Sequence, residues 1–251
     1  METGDTKKLL PFPGEPIRVG WHRLTAAMEG KVMAIRLSHN VTLIRFLSSD
    51  GLRLEGRLTR GAPDRAAVLC HPHPLYGGSM STPVIMTVEQ AFREAGYTTL
   101  AFNFRGVGGS EGAYGEGRAE LADVTGALTY LEEALGSRPR HFAVAGYSFG
   151  SVVGGMAATA DRRVGFYLGV APPLNHYDFG FLRQAVCPMA LIGATRDEHC
   201  DASRFEALYL SLPATPWVRR LDTTHDFADA LDALAQACRD AIGWAVEGRA
   251  R

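Results

Sequence analysis

Cysteine is scarce in this chain. The four residues, Cys70, Cys187, Cys200 and Cys238, are far apart and form no C-x-x-C pair. That excludes a disulfide-framed secreted module and the closely spaced thiolate sets of structural zinc sites. It sets the expectation of free thiols in a reducing cytoplasm, each acting as a small buried hydrophobe. Net charge is nearly absent as well, at −1, and the arginines are scattered. Neither nucleic acid nor an anionic membrane is therefore expected as a partner. No apolar run reaches the roughly 18 residues of a membrane-spanning helix. The first ten residues lack the apolar core of a signal peptide. No internal repeat or low-complexity linker divides the chain. The phosphate-cradling G-x-x-x-x-G-K-[ST] and the zinc-binding H-E-x-x-H are both missing.

What remains is an ordinary globular composition, 46% hydrophobic and 21% charged over 251 residues, compatible with a single α/β domain. Residues 1–40 read as an N-terminal extension of unassigned role. Pro11, Pro13, Gly14 and Pro16 make its start irregular, and His22 to Leu37 has some helical character. Regular patterning begins at Val41. Strands are predicted at Val41–Leu47 and Leu52–Leu58, joined by a tight turn at Asp50-Gly51. Gly61 to Asp64 reads as a loop and Ala66–Cys70 as a central strand. His71 to Gly78 cannot continue that strand, because Pro72 and Pro74 have no ladder donor.

Further along, Pro83–Ala95 reads as a helix stopped by Gly96, and Tyr97–Phe104 as a strand. A glycine-rich loop spans Arg105 to Gly112. Leu121, Val124, Leu128, Leu131 and Leu135 define a helix with one buried stripe. Strands follow at His141–Ala145, Val164–Val170, Pro188–Gly193 and Trp217–Leu221. Between the last two, a helix runs through about Leu210. Phe227, Leu231, Leu234, Cys238, Ile242 and Val246 mark a long final helix. Strands alternating with helices after one hairpin predict a mostly parallel sheet of about eight strands, covered by helices on both faces. The stretch between Val170 and Met189 is too short for a cap domain.

The most informative stretch is Gly146-Tyr147-Ser148-Phe149-Gly150. It lies between a predicted strand and a small-residue helix, the context in which G-x-S-x-G becomes a sharp turn that exposes its serine. A serine nucleophile needs a base, and the base needs an orienting group. In an open α/β sheet, both belong in loops at strand C-termini. His225, after the last predicted strand, is the candidate base, with His199 as its nearest rival. Asp197 is the candidate third member, with Glu198 and Asp201 as alternatives in the same acidic loop. The helix after the serine offers the Phe149 N–H to a developing oxyanion. A second donor is expected from the loop after Cys70. Pro72 and Pro74 cannot supply it, which leaves His73 or Leu75, with His73 preferred.

His71 and His73 at i, i+2 could instead bind zinc, but that reading leaves the serine turn unexplained, and no metal is expected. Arg105 reads as an ion-paired loop anchor rather than an anion binder. Tyr76, Tyr147, Leu174, Tyr177 and Phe181 are candidates to line a substrate pocket. Leu174, Tyr177, Phe179, Phe181 and Leu182 serve equally well as anchors of a short surface helix.

Together these motifs resemble the α/β-hydrolase superfamily from about Val41 to the C-terminus. Within it, the chain is similar to lidless bacterial hydrolases marked by His-Pro-His-Pro, here His71 to Pro74. Also carrying the resemblance are Asn103-Phe-Arg-Gly-Val-Gly-Gly-Ser110, Gly146 to Gly150 and the loops at Asp197 and His225. Such relatives tend to have an aromatic directly after the histidine, where this chain has Asp226. The resemblance implies a Ser148–Asp197–His225 hydrolase of esters or related acyl compounds. It implies no cofactor and a small-molecule acyl substrate, and it leaves a homo-oligomer open. Two other readings stay open: an acyltransferase or cyclase using the same acyl-enzyme, and a non-catalytic binding module on this fold.

Overall fold

A computed structural model describes residues 35–36 and 40–248. The rest of the N-terminal extension, with most of the helical-looking His22 to Leu37, lies outside the described residues. Ile35–Arg36 are a short strand, β1, rather than the end of a helix. The strands that follow are β2 (Val41–Leu47), β3 (Arg53–Thr59), β4 (Ala62–Cys70), β5 (Tyr97–Phe102), β6 (His141–Tyr147), β7 (Phe166–Val170), β8 (Met189–Arg196) and β9 (Trp217–Thr224). They form one sheet in the order β1-β2-β3-β5-β4-β6-β7-β8-β9. β1, β2 and β3 pair antiparallel, and β3 runs antiparallel to β5. Every pairing from β5 onward is parallel. The helices are α1 (Pro83–Glu94), α2 (Glu120–Leu135), α3 (Phe149–Ala160), α4 (Ala202–Leu210) and α5 (Leu231–Glu247). None of the helices among the described residues is long and apolar enough to cross a membrane.

Side-chain alternation along the central strands splits the core in two. Val144 of β6 points into a cluster with Val124, Leu128 and Leu131 of α2, Val153 of α3 and Phe205 of α4. Its neighbours Ala143 and Ala145 point the other way, toward Val84 and Phe92 of α1 and Leu234 and Ile242 of α5. The sheet is therefore dry on both faces, as parallel strands require. The link from β7 to β8 holds only a 3-10 turn at Gly180–Gln184, and no cap domain interrupts it.

Two expectations are corrected. Gly61 to Asp64 is not simply a loop. β4 starts at Ala62, and its register with β5 shifts between Ala62 and Ala66. Pro63 and Asp64 sit in that irregular stretch, where a residue without an N–H is tolerated. Phe227 does not open the last helix. It precedes α5 with φ 53 and is fully buried.

The glycine-rich loop after β5 is tied down by Arg105. Its guanidinium holds Asp123 of α2 at 2.7 Å and Asp50 of the β2–β3 turn at 2.9 Å. Asp123 has no exposed side-chain surface. Removing only the arginine leaves a buried, unpaired carboxylate. Arg105→Leu is expected to lower the unfolding free energy by about 3–5 kcal/mol, read from urea denaturation. Adding Asp123→Leu should restore most of it. A single variant within about 1 kcal/mol of wild type would contradict this role.

Candidate active site

Ser148 stands where β6 turns into α3, with φ 53 and ψ −121. Positive φ is costly for a non-glycine residue, so the surroundings must enforce it. Its N–H donates to the Val170 carbonyl at 2.9 Å, and Ser151 Oγ donates to its carbonyl at 2.6 Å. Both flanking glycines are sterically required. A Cβ on Gly146 would lie 2.0 Å from the Gly150 carbonyl oxygen, and one on Gly150 would lie 2.1 Å from that of Cys70. The turn presents Ser148 Oγ at 2.9 Å from His225 Nε2.

His225 follows β9. Its backbone carbonyl accepts the Tyr147 hydroxyl at 3.0 Å, which ties the histidine loop to the residue before the serine. Phe227 anchors the other side of the loop. Asp226, the departure from the usual aromatic, accepts from Thr224 Oγ1 at 2.7 Å and from the Ala228 N–H at 3.3 Å. It caps its own turn.

Asp197 lies directly after β8, its side chain 1% exposed, with both carboxylate oxygens 2.9 Å from His225 Nδ1. The His199 N–H donates to Oδ1 at 2.8 Å, fixing the carboxylate. Of the alternatives, Glu198 points outward, and Asp201 accepts from Asn175 Nδ2 at 3.1 Å. The rival histidine, His199, does not reach Ser148 as base. Its ring packs edge-on against His225 at 4.6 Å, and its Nδ1 meets His176 Nε2 at 3.1 Å.

The loop after β4 carries the two other candidate histidines, His71 and His73. Among the described residues, no hydrogen bond takes up the N–H of Phe149 or of His73. The alternative donor Leu75 is already used, its N–H pointing at His73 Nδ1 at 3.2 Å, because His73 caps the 3-10 turn Pro74–Tyr76. The His73 carbonyl accepts from Tyr76 and Gly78, both at 3.1 Å. His71 is fully buried. Its Nδ1 lies 2.6 Å from the Pro72 carbonyl, and its Nε2 accepts the Phe104 N–H at 3.0 Å. With both ring nitrogens engaged, His71 is a loop anchor and has none to give a metal.

A cavity of about 270 Å³ opens over Ser148 and includes Tyr76 and Tyr147 of the expected pocket set. Leu174 and Tyr177 line a separate cavity of about 490 Å³, bounded by α4 and containing neither Ser148 nor His225. Phe181 lines neither of these two cavities. It stacks on Phe179 at 5.5 Å and lies against α3 at Gly155, as an anchor of its turn. Tyr114 was not expected, yet its ring packs 4.9 Å from His73 and 5.7 Å from Phe149. The signal available in sequence was an aromatic just past a glycine-rich loop at a strand C-terminus.

Comparison with known proteins agrees with this fold. A family model described as the alpha/beta hydrolase family matches residues 67–248. An uncharacterised protein of Rickettsia prowazekii is 35% identical over 58% of this chain and 62% of its own. A polyketide transferase of a Penicillium species is 28% identical over 66% of this chain and 55% of its own. A thiohydrolase of Aspergillus aculeatus is 30% identical over 51% of this chain and 41% of its own. The matches thus span 41–62% of these relatives' lengths.

Among solved structures, a lidless α/β serine hydrolase from Xanthomonas campestris aligns with a TM-score of 0.73 at 28% identity. It covers 82% of this chain and 95% of its own. An alpha-beta serine hydrolase homologue from Coxiella burnetii aligns with a TM-score of 0.71 at 26% identity, covering 86% and 99%.

Burial of His71 pushes its pKa down from 6.5 to about 4, with His73 adding to the effect and the Pro72 carbonyl opposing it. The unfolded chain therefore takes up this proton first as pH falls. The contribution of neutral His71 to stability is complete above about pH 6.5 and is lost on acidification toward about pH 4, in all about 3 kcal/mol. Urea midpoints measured across that window should fall, and His71→Gln, though less stable throughout, should show a shallower fall. Equal slopes would contradict the assignment.

Proposed function

We propose that this chain, which belongs to the α/β-hydrolase family, is a serine hydrolase that cleaves esters or related acyl bonds through an acyl-enzyme on Ser148. One observation carries the reading: the continuous hydrogen-bonded line from Ser148 Oγ through His225 to Asp197, each link 2.9 Å. His225 Nε2 accepts the Ser148 proton as Oγ attacks the carbonyl carbon. Asp197 accepts the Nδ1–H, holds the ring in that tautomer and stabilises the imidazolium. The N–H groups of Phe149 and His73 receive the oxyanion. His225 returns the proton to the departing alcohol or thiol. Water then attacks the acyl-Ser148 ester, giving its proton to His225, and the acid leaves as Ser148 is restored.

Among the described residues no cap interrupts the link from β7 to β8, which supports water as the acceptor. The likeness to a polyketide transferase favours a second reading, in which another nucleophile takes the acyl group. Product analysis separates the two: free acid for hydrolysis, a new ester or amide for transfer.

The test is turnover of a panel of esters and thioesters. Wild type should release free acid, and Ser148→Ala should release none above background. Asp197→Asn should lower kcat by about a thousandfold to ten-thousandfold with KM little changed. An Asp197→Asn enzyme as fast as wild type would overturn the proposed role, as would acid release that survives in Ser148→Ala.

A further inference from the structure

The cavity over Ser148 is built largely from rings: His73, Tyr76, Tyr147, His199 and His225 all line it. Among the described residues, no lysine, arginine, aspartate or glutamate does; the charged Asp178, Arg183 and Arg204 belong to the neighbouring cavity. Burial holds His73 and His199 below the usual imidazole pKa, so both face the cavity uncharged near neutral pH. Tyr76 stands at the mouth with 80% of its surface exposed, yet its ring leans on His73 at 4.6 Å. His73 is backed by Tyr114 at 4.9 Å and Phe149 at 5.0 Å, so the wall behind Tyr76 is packed ring on ring.

The described lining offers an ionic group no countercharge to offset the hydration it gives up on contact. A long alkyl chain would lose rotamer freedom and match the ring faces poorly. A flat ring gains offset and edge contacts with several side chains while ordering few bonds. The volume of about 270 Å³ suits one bicyclic system.

We infer that this cavity is a subsite for a flat, uncharged ring system carried by the substrate, with Tyr76 as the residue that selects it. This rests on the acyl-transfer reading of Ser148. The ring can lie on the acyl or the alcohol side of the scissile bond, and the chemistry of recognition is the same for both.

The experiment compares labelling rates of Ser148 by phosphonofluoridates bearing either a naphthylmethyl or a decyl group. Fluoride leaves as Oγ bonds to phosphorus, so no particular ester need be turned over. The group is placed on the P–C arm to imitate the acyl side and on the P–O arm to imitate the alcohol. On one arm, the ring reagent should react about tenfold faster than the alkyl reagent, as two or three ring contacts supply. That ratio should approach one in Tyr76→Ala and return in Tyr76→Phe. A ratio of one or less on both arms in wild type would overturn the subsite, and so would a ratio unchanged in Tyr76→Ala. Failure of every reagent to label folded protein is a different outcome. It removes the activated serine itself, and the substrate subsite with it.

Discussion

The close approach of α3 to the end of β4 is the constraint on which the rest depends. Gly150 sits against the Cys70 carbonyl with no room for a Cβ, and Gly154 leaves a Cβ only 3.0 Å from Val144. At the same junction Ser148 takes up positive φ, directly before the start of α3. The loop after β4 lies beside the serine, with Pro72, His73, Gly77 and Gly78 lining the same cavity as Ser148. The strain is local. The surrounding sheet, buried on both faces, offsets it.

The histidine is held from several directions. Tyr147 bonds its backbone, Asp197 its Nδ1, and His199 packs its edge against the ring. Tyr147 and Ser148 are adjacent in sequence, so one turn positions both the nucleophile and the loop of its partner. Asp226 keeps to its own turn, and its side chain takes no part in the Ser148–His225–Asp197 line.

Much of this was legible in sequence because it is local. Alternation marks β2 and β3, the three-to-four spacing from Leu121 marks α2, and apolar runs mark β6 and β8. The elbow glycines and the Pro-X-Pro loop carry backbone requirements that can be read without a structure. What could not be read depends on distant segments meeting. The early start of β4 depends on Tyr97 pairing with Ala62 across a register shift. Leu75 is occupied because His73 turns back to cap it. Phe181 faces α3, and Leu174 and Tyr177 line a neighbouring cavity, because the direction of the Pro172–Gln184 segment has no periodic signature. Tyr114 reaches His73 only because the loop after β5 folds across the serine turn.

The measurement that tests the central claim most directly is the intact mass of folded protein treated with a small fluorophosphonate, followed by peptide mapping. The account predicts one adduct per chain, on Ser148, formed far more slowly in Asp197→Asn and His225→Ala. No adduct on folded wild type, or one that forms equally fast without His225, would contradict it.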